Sequence, residues 1–183
     1  MPDGIRDQYK KLGVEEYYSQ HGSDYSNPHF QQIEQLLSQN KSRIDYSKVL
    51  DFCCGSGEVT AILKELGYAH TIASDPFTQE AYRQRIGKDC YHWSFEEVVK
   101  GTMEGSYSAI ICSFAMHLCP DEWLFGLTYE LFQHTDLLVI ITPHKRPELD
   151  KIEGVEMAFE DFALTPKGKK VRLKAYRSIF TRH

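Results

Sequence analysis

The sequence predicts an α/β fold, in which a doubly wound and mostly parallel sheet of seven strands ends in a C-terminal antiparallel hairpin. Three features of the chain support this prediction. Apolar segments alternate with amphipathic helical segments between residues 47 and 143. The glycine turn Gly55-Ser56-Gly57 follows the first apolar segment directly. Two strand-like segments near the end of the chain flank the turn-forming stretch TPKGKK, which indicates a hairpin.

Strands and helices are predicted to follow one another along the chain. A first helix should start at Asn27-Pro28, because Asn caps helices and Pro suits their first turn. A short helix should start at Ser94, where S-x-x-E has the form of a capping box. The other helices are expected at residues 57–66, 78–87 and 120–134. The strands are SKVLDFCC (47–54), HTIASD (70–75), DCYHWS (89–94), YSAIICSFA (107–115), DLLVIITP (136–143), VEMAFEDFAL (155–164) and VRLKAYRSIF (171–180).

The composition predicts one globular domain over residues 1–183. Hydrophobic residues make up 42% and charged residues 26% of the chain, as is typical of soluble domains. We expect residues 1–46 to form an N-terminal helical cap segment and residues 47–183 to form a Rossmann-like core. The chain has no apolar run long enough to span a membrane and no secretory signal, so we expect a cytoplasmic protein without a membrane partner.

The five cysteines predict free thiols. Their number is odd, Cys53 and Cys54 are adjacent, and no C-x-x-C pattern occurs. This pattern argues against a disulfide framework or a zinc ribbon, so no metal site is predicted. Free thiols suit a reducing cytosol.

Charge is distributed unevenly along the chain. The net charge is -5, yet residues 165–183 contain seven Lys or Arg and no acid. The other 164 residues carry 14 basic and 26 acidic groups. A basic hairpin on an acidic body could bind phosphate, and the alternative is a solvated hairpin whose charges discourage edge aggregation.

The glycine turn indicates a site for a nucleotide-like cofactor. Gly55 and Gly57 allow a tight turn and a close approach of a ligand, and the next helix starts with free backbone N–H groups. A dinucleotide site requires G-x-G-x-x-G, but Thr60 replaces the third glycine here. Asp51 and Glu58 would also disfavour a pyrophosphate. An acid at Asp51 suits a ligand with cationic character, so a nicotinamide-dependent reductase is a weaker alternative.

The stretch Asp51-Phe52-Cys53-Cys54-Gly55-Ser56-Gly57 resembles motif I of the class I S-adenosylmethionine-dependent methyltransferases. Asp51, Gly55 and Gly57 match the motif, and Cys53 stands where the family has its first glycine. The resemblance spans roughly residues 17–183 and implies S-adenosylmethionine as cofactor, with Asp51, Phe52, Cys53, Gly55 and Gly57 among the residues that bind it.

The same resemblance implies further cofactor contacts beyond motif I. Asp75, followed by Pro76, stands at the end of the second predicted strand, where the family binds the ribose hydroxyls; an Asp-Pro turn is the alternative reading. Ser94 and Phe95 occupy the place near the adenine, although Ser94 could act only as a helix cap and Phe95 only as a core residue. Ser113 and Phe114, after the fourth predicted strand, would lie beside the methionine part of the cofactor.

The candidate acceptor site consists of histidines and tyrosines. Residues 113–117 resemble the S-x-x-x-H pattern of many small-molecule members, which makes His117 the candidate general base or substrate contact. An ordinary buried histidine at a helix entrance is the alternative. His144, after the fifth predicted strand, also belongs to the expected ligand rim. In this fold the N-terminal segment often covers the site, so Tyr18, Tyr25 and His29 are expected to contact substrate.

The sequence therefore predicts a methyltransferase acting on an O or N atom of a small molecule. The chain lacks the Asn/Asp-Pro-Pro-Tyr/Phe motif after strand four, the Pro-Cys pair, and the Glu/His metal cluster that mark other methylase classes. Two alternatives remain open, namely an RNA methyltransferase that uses the basic hairpin and a catalytically silent S-adenosylmethionine-binding or scaffold protein. A homodimer or a partner subunit could supply a lid.

Overall fold

The computed structural model describes residues 27–180. Over this range the helices are α1 (Phe30–Gln39), α2 (Glu58–Glu65), α3 (Gln79–Ile86), α4 (Phe95–Val99) and α5 (Asp121–His134). The strands are β1 (Val49–Phe52), β2 (Thr71–Ser74), β3 (Ala109–Ser113), β4 (Leu138–Thr142), β5 (Val155–Leu164) and β6 (Lys170–Ser178), and short 3₁₀ turns lie at Met116–Leu118 and Leu149–Lys151. Tyr18 and Tyr25 are outside the described residues.

The strands form one mixed sheet in the order β2-β1-β3-β4-β6-β5. The pairs β1–β2, β1–β3 and β3–β4 are parallel, whereas β6 runs antiparallel to both β4 and β5. The α/β class, the parallel core and the antiparallel C-terminal hairpin are therefore confirmed.

The prediction of seven strands is wrong for the described residues, which form six. The expected strand at residues 89–94 is reduced to a single parallel bridge between Ser74 and Tyr91. Two backbone hydrogen bonds connect it to β2 and the residue that follows. The Tyr91 amide donates to the Ala73 carbonyl, and the Asp75 amide donates to the Tyr91 carbonyl. Because β2 ends at Ser74 and α4 starts directly after its capping residue Ser94, no room remains for a longer ladder.

The two faces of the sheet carry separate hydrophobic clusters. Successive residues of a strand point to opposite faces, so Val49 packs with α1 and α2 while Leu50 packs with α4 and α5. The same alternation places the Asp51 side chain on the α2 face and the Phe52 side chain on the α5 face. Both faces of β1, β3 and β4 are buried, which explains their near-continuous apolar sequences.

The helix predicted at Asn27-Pro28 starts slightly later, at Phe30. The Asn27 side chain accepts a hydrogen bond from the His29 amide at 2.8 Å, so Asn27 organises the turn before the helix instead of capping its first turn. The Asn27 amide also donates to the Glu58 carboxylate at 2.8 Å. This contact fastens the entrance of α1, and with it His29, to the start of α2.

Over residues 27–180, no helix is both long enough and apolar enough to cross a membrane.

Gly57 should tolerate alanine less well than Gly67, although both residues have similar positive φ angles of +91° and +94°. A Cβ at residue 57 would lie 2.7 Å from Ile86 Cγ1 and 2.9 Å from Tyr82 Cδ2, whereas no atom lies within 4 Å of a Cβ at residue 67. We expect Gly67→Ala to cost about 1–2 kcal/mol from backbone strain alone. Gly57→Ala should cost a further ~1–3 kcal/mol from overpacking, measured by urea unfolding. Equal losses in the two variants would contradict the close packing at Gly57.

Candidate active site

The candidate site lies where the chain changes direction across the sheet. β1 continues to β2 on one side, and the chain then returns to form β3 on the other side of β1. In open α/β sheets, the carboxyl ends of the strands at such a switch point frame a crevice that binds ligands. The residues that follow β1 and β3 are therefore the first to consider.

The turn after β1 contains three residues with left-handed backbone conformations. Cys53 has a φ of +56°, Gly55 of +57° and Gly57 of +91°. A residue with a Cβ costs about 1–2 kcal/mol in this region, which gives the physical reason for glycine at the first motif position. Cys53 adopts the required conformation without being glycine. The Thr78 hydroxyl donates to the Gly55 carbonyl at 2.8 Å and so connects the turn to the segment after β2.

Asp75 connects the ends of β1 and β2. One carboxylate oxygen accepts from the Gly55 amide at 3.2 Å, and the other accepts from the amides of Phe77 at 2.8 Å and Thr78 at 3.1 Å. Burial raises the pKa of Asp75, and the backbone amides partly oppose that rise. A carboxylate has about four acceptor positions, so three amides leave capacity for one more donor. Pro76 follows it in the same turn.

Asp51 is completely buried beneath the turn. Its Oδ2 accepts from the Thr60 hydroxyl at 2.8 Å and from the Thr60 amide at 3.2 Å, while Oδ1 has no hydrogen-bond partner. Burial raises the pKa of Asp51 well above its usual range, and the charges of Glu58 and Asp75 add to the effect. An unpaired buried carboxylate oxygen is costly unless a donor reaches it.

Buried acidic side chains outnumber cationic side chains around the turn after β1. Glu58, expected to disfavour a pyrophosphate, is buried and accepts from the Ser56 hydroxyl at 2.6 Å. Its nearest cation is Arg85, with Nη1 at 3.8 Å. The excess of negative charge from Glu58, Asp51 and Asp75 suits a ligand that brings positive charge.

Ser94 and Phe95 combine structural roles with a position near the end of β1. Ser94 forms a complete capping box with Glu97, because its hydroxyl accepts from the Glu97 amide at 3.1 Å and its own amide donates to Glu97 Oε2 at 2.9 Å. The Phe95 ring packs edge-on against Phe52 at 6.1 Å. Phe52 itself is fully buried, so it supports the site from below.

The structure brings His29 against Phe114. Ser113 ends β3, and Phe114 then takes a left-handed φ of +57°. The Phe114 amide donates to the Ile141 carbonyl at 2.7 Å, which holds this turn on β4. The His29 ring stacks on the Phe114 ring with 5.1 Å between centroids and an interplanar angle of 11°. His29 thus lies at the end of β3, and its contact with substrate stays a prediction.

His117 and His144 come from different loops and meet at the ends of β3 and β4. Their ring centroids are 4.3 Å apart. Nδ1 of His117 is buried without a hydrogen-bond partner. Burial, aided by His144, lowers the pKa of His117 to about 4, so its imidazole is neutral at physiological pH. The ring is therefore a hydrogen-bond acceptor or donor without charge.

A cavity of about 310 Å³ opens beside His117. It combines apolar walls with charged side chains of both signs. Its lining residues are Met116, His117, Cys119, Asp121, Leu124, Arg146, Pro147, Glu148 and Lys151. A small organic molecule placed there would touch His117.

The basic hairpin is less uniformly positive than its sequence suggests. Arg172 pairs with Glu160 across the hairpin at 3.1 Å. The Lys170 ammonium lies 4.4 Å above the Phe162 ring. Lys174 is buried, and its Nζ donates to the Lys145 carbonyl at 2.7 Å.

Three contributors to the site were not predicted. Thr60 was noted only as a departure from a dinucleotide motif, although it holds Asp51. Thr78 stands three residues after Asp75, a spacing that could have suggested its contact with that carboxylate. Lys174 belongs to the basic C-terminal segment in the sequence, yet it anchors the loop that carries His144. No local signal distinguishes it from the exposed Lys169 and Lys170.

Comparison with known proteins identifies a curated relative. No protein-family model matches the chain. The chain is 33% identical over 193 aligned positions to the uncharacterized protein C17A5.05c of Schizosaccharomyces pombe (strain 972), and the match covers 81% of this chain and 78% of that protein. The chain belongs to the same family as this fission yeast protein.

Solved structures that resemble this chain include methyltransferases. Magnesium protoporphyrin IX methyltransferase (ChlM) from Synechocystis PCC 6803, solved with bound SAM, is 18% identical with a TM-score of 0.61, and 95% of each chain is covered. A SAM-dependent methyltransferase from Anabaena variabilis is 11% identical with a TM-score of 0.63, covering 96% of this chain and 95% of its own. The chain therefore has the fold of class I S-adenosylmethionine-dependent methyltransferases.

Asp51→Asn should stabilise the protein at neutral pH, because the variant removes a buried charge. The pKa of Asp51 is higher in the folded state than in the unfolded state. The free energy of unfolding therefore decreases as the pH rises from the pKa of the unfolded state to that of the folded state. We expect the variant to gain about 1 kcal/mol at pH 8, the usual scale of a point substitution, and to lose this gain as pH falls towards 4.

Urea unfolding between pH 4 and 8 measures this dependence, and the exposed Asp150→Asn is the matched control. A variant that is less stable than wild type at pH 8 would contradict the account of Asp51.

Proposed function

We propose that the protein is an S-adenosylmethionine-dependent methyltransferase that acts on an O or N atom of a small molecule. The arrangement of the turn after β1 is the observation that supports this proposal. The Gly55–Asp75 hydrogen bond holds this turn to the end of β2, and the unpartnered Asp51 Oδ1 lies beneath it. The class I fold, found in solved structures that include ChlM with bound SAM, supports the same cofactor.

The residues of the site fit the chemical groups of this cofactor. The remaining acceptor capacity of Asp75 suits a ribose hydroxyl. The buried acids Asp51 and Glu58, with little cationic compensation, suit a ligand that carries a sulfonium and an ammonium. Gly57 has no Cβ at a position where one would collide with α3, so the turn can pack closely against that helix. When bound, the cofactor supplies a methyl group activated for displacement by its positive sulfur.

The chain's own contribution to the reaction is alignment and proton handling. Holding donor and acceptor in line can lower the barrier by several kcal/mol, up to about 7–11. His117 is neutral and lines the cavity, so its imidazole can accept a hydrogen bond, or a proton, from an acceptor O–H or N–H group. Its contact with His144 positions the ring in the lining of the cavity.

A small acceptor is favoured over RNA by the state of the C-terminal hairpin. Lys174 is buried in a backbone contact and Arg172 is paired with Glu160, so these two charges are committed within the protein. Nucleic-acid binding depends mainly on phosphate contacts from free basic side chains. The cavity beside His117, in contrast, has a volume suited to a small organic molecule.

Asp75→Asn should weaken binding of S-adenosylmethionine and S-adenosylhomocysteine by about tenfold to a hundredfold. An amide keeps the shape of the side chain but reduces its acceptor capacity, and a hydrogen bond to a charged group contributes about 1.5–3 kcal/mol. Isothermal titration calorimetry with both ligands measures this loss.

Asp150→Asn, which changes an exposed acid, is the control and should bind like wild type. Absence of binding to wild-type protein would overturn the proposed function. Binding without methyl transfer to any pool of small hydroxyl or amino compounds, or to RNA, would support the catalytically silent alternative.

His117→Gln should lower kcat by about a hundredfold or more, the usual contribution of a positioned acid–base group, while the Kd of the cofactor stays unchanged. Because the pKa of His117 is lowered to about 4, the wild-type rate should show no loss between pH 8 and 5 from protonation of this residue. Transfer of a labelled methyl group to the acceptor found by screening measures both effects.

The exposed His92→Gln is the matched control for this experiment. An acid limb near pH 6.5 that disappears in His117→Gln would show that His117 is not the neutral, buried group described above.

A further inference from the structure

Two thiols from neighbouring strands meet at the switch point. Cys112 lies in β3 and is aligned with Phe52, the last residue of β1. Cys53 is the next residue of the chain. In the part of the chain that the structure describes, all five cysteines are free thiols. The protein therefore holds a dithiol between the two strand ends that frame the candidate site.

The backbone of Cys53 directs its side chain towards Cys112. In a regular strand, residue 53 would point to the face opposite Phe52 and Cys112. The left-handed φ of +56° interrupts this alternation, and the Cys53 side chain packs on the same cluster that contains Phe52 and Cys112. The Cys112 thiol raises the pKa of the Cys53 thiol, which indicates that the two side chains are close neighbours.

The backbone separation is compatible with a disulfide. Adjacent strands lie about 4.8 Å apart and residues advance about 3.3 Å along a strand. Cys53 is one residue beyond the aligned pair, so its Cα is about 6 Å from that of Cys112, within the range of about 4.4–6.8 Å seen for disulfides. Cys54 and Cys90 also touch, but β2 lies between their backbones. Two strand spacings, about 9.6 Å, are too far to bridge.

We propose that Cys53 and Cys112 are a reversible oxidation site, at which a hydroperoxide closes a disulfide across the switch point. Cys53 is the less buried residue of the two, and its sulfur attacks a peroxide oxygen; the O–O bond breaks, and a sulfenic acid forms with release of water or an alcohol. The Cys112 sulfur then attacks the sulfenic sulfur, the S–S bond forms, and the sulfenic oxygen leaves as water. Two thiols lose two electrons and the peroxide gains them.

The disulfide would act on the turn that contains Gly55 and Gly57. Drawing Cys53 towards β3 shifts the segment whose Gly55 amide is bonded to Asp75. The oxidised protein should therefore bind the cofactor more weakly. This effect rests on the proposed function, whereas formation of the disulfide does not depend on it. Burial and the neighbouring thiol raise the pKa of Cys53, so the reaction should be slow at neutral pH and faster at alkaline pH.

Peptide mapping after hydrogen peroxide treatment tests the bond directly. Trypsin places Cys53 and Cys54 in peptide 49–64 and Cys90 in peptide 89–100, and chymotrypsin cleaves after Phe114 to separate Cys112 from Cys119. We expect a cross-link between the fragment that contains Cys53 and Cys54 and the fragment that contains Cys112, removed by dithiothreitol. Fragmentation spectra assign the cross-linked sulfur to Cys53.

Cys112→Ala should form no such cross-link. Cys119→Ala is the matched control, because Cys119 is buried in the same cluster as Cys112, and it should form the cross-link like wild type. Calorimetry with S-adenosylhomocysteine on oxidised wild-type protein should show at least tenfold weaker binding, restored by dithiothreitol.

Failure of the two proposals can be told apart. If reduced wild-type protein binds no S-adenosylhomocysteine, the proposed function fails while the peptide map still decides the disulfide. A cross-link to Cys90 would overturn the proposed oxidation site. So would Cys53 and Cys112 that remain thiols, or become irreversible sulfinic acids, under conditions that oxidise surface thiols. A cross-link that leaves the affinity unchanged would overturn its effect on the turn.

Discussion

The hydrogen bond from the Gly55 amide to the Asp75 carboxylate is the interaction on which the arrangement of the site depends. It joins the turn after β1 to the end of β2, and the Thr78 hydroxyl strengthens the same connection through the Gly55 carbonyl. Two further contacts support it on the neighbouring strand end, the hydrogen bond from the Cys54 amide to the Ser74 carbonyl and the Thr78 contact with Gly55. The stability of the surrounding sheet offsets both the backbone strain and the burial of Asp75.

The buried acids illustrate how function can oppose stability. Asp51 is wholly buried, with one oxygen held by Thr60 and the other unpartnered. For folding alone, an apolar side chain there would serve better, because an unpaired buried charge is expensive. A cationic ligand above the turn would recover part of this cost at the moment of binding. His117 carries a smaller cost of the same kind, because its neutral ring has a buried Nδ1 without a hydrogen-bond partner.

Much of the fold and part of the site could be predicted from local patterns. The apolar runs of β1, β3 and β4 and the capping box at Ser94 are local signals, and the structure contains all of them. The glycine turn and Asp75 could likewise be recognised in the sequence, because a tight turn and an acid at a strand end each depend on a few adjacent residues. The prediction of a strand at residues 89–94 was wrong because strand length depends on the partner, and β2 ends at Ser74, the residue that bridges Tyr91.

The sequence by itself determined the class of fold, the position of the glycine turn and the acids beside it, since each follows from residues close together in the chain. Only the tertiary structure decided which distant side chains meet: His29 on Phe114, His117 on His144, and Cys53 on Cys112. It also decided that Lys174 is buried in a backbone contact and that its neighbour Arg172 pairs with Glu160. These outcomes depend on strand order and register, which bring together residues that local patterns treat as independent.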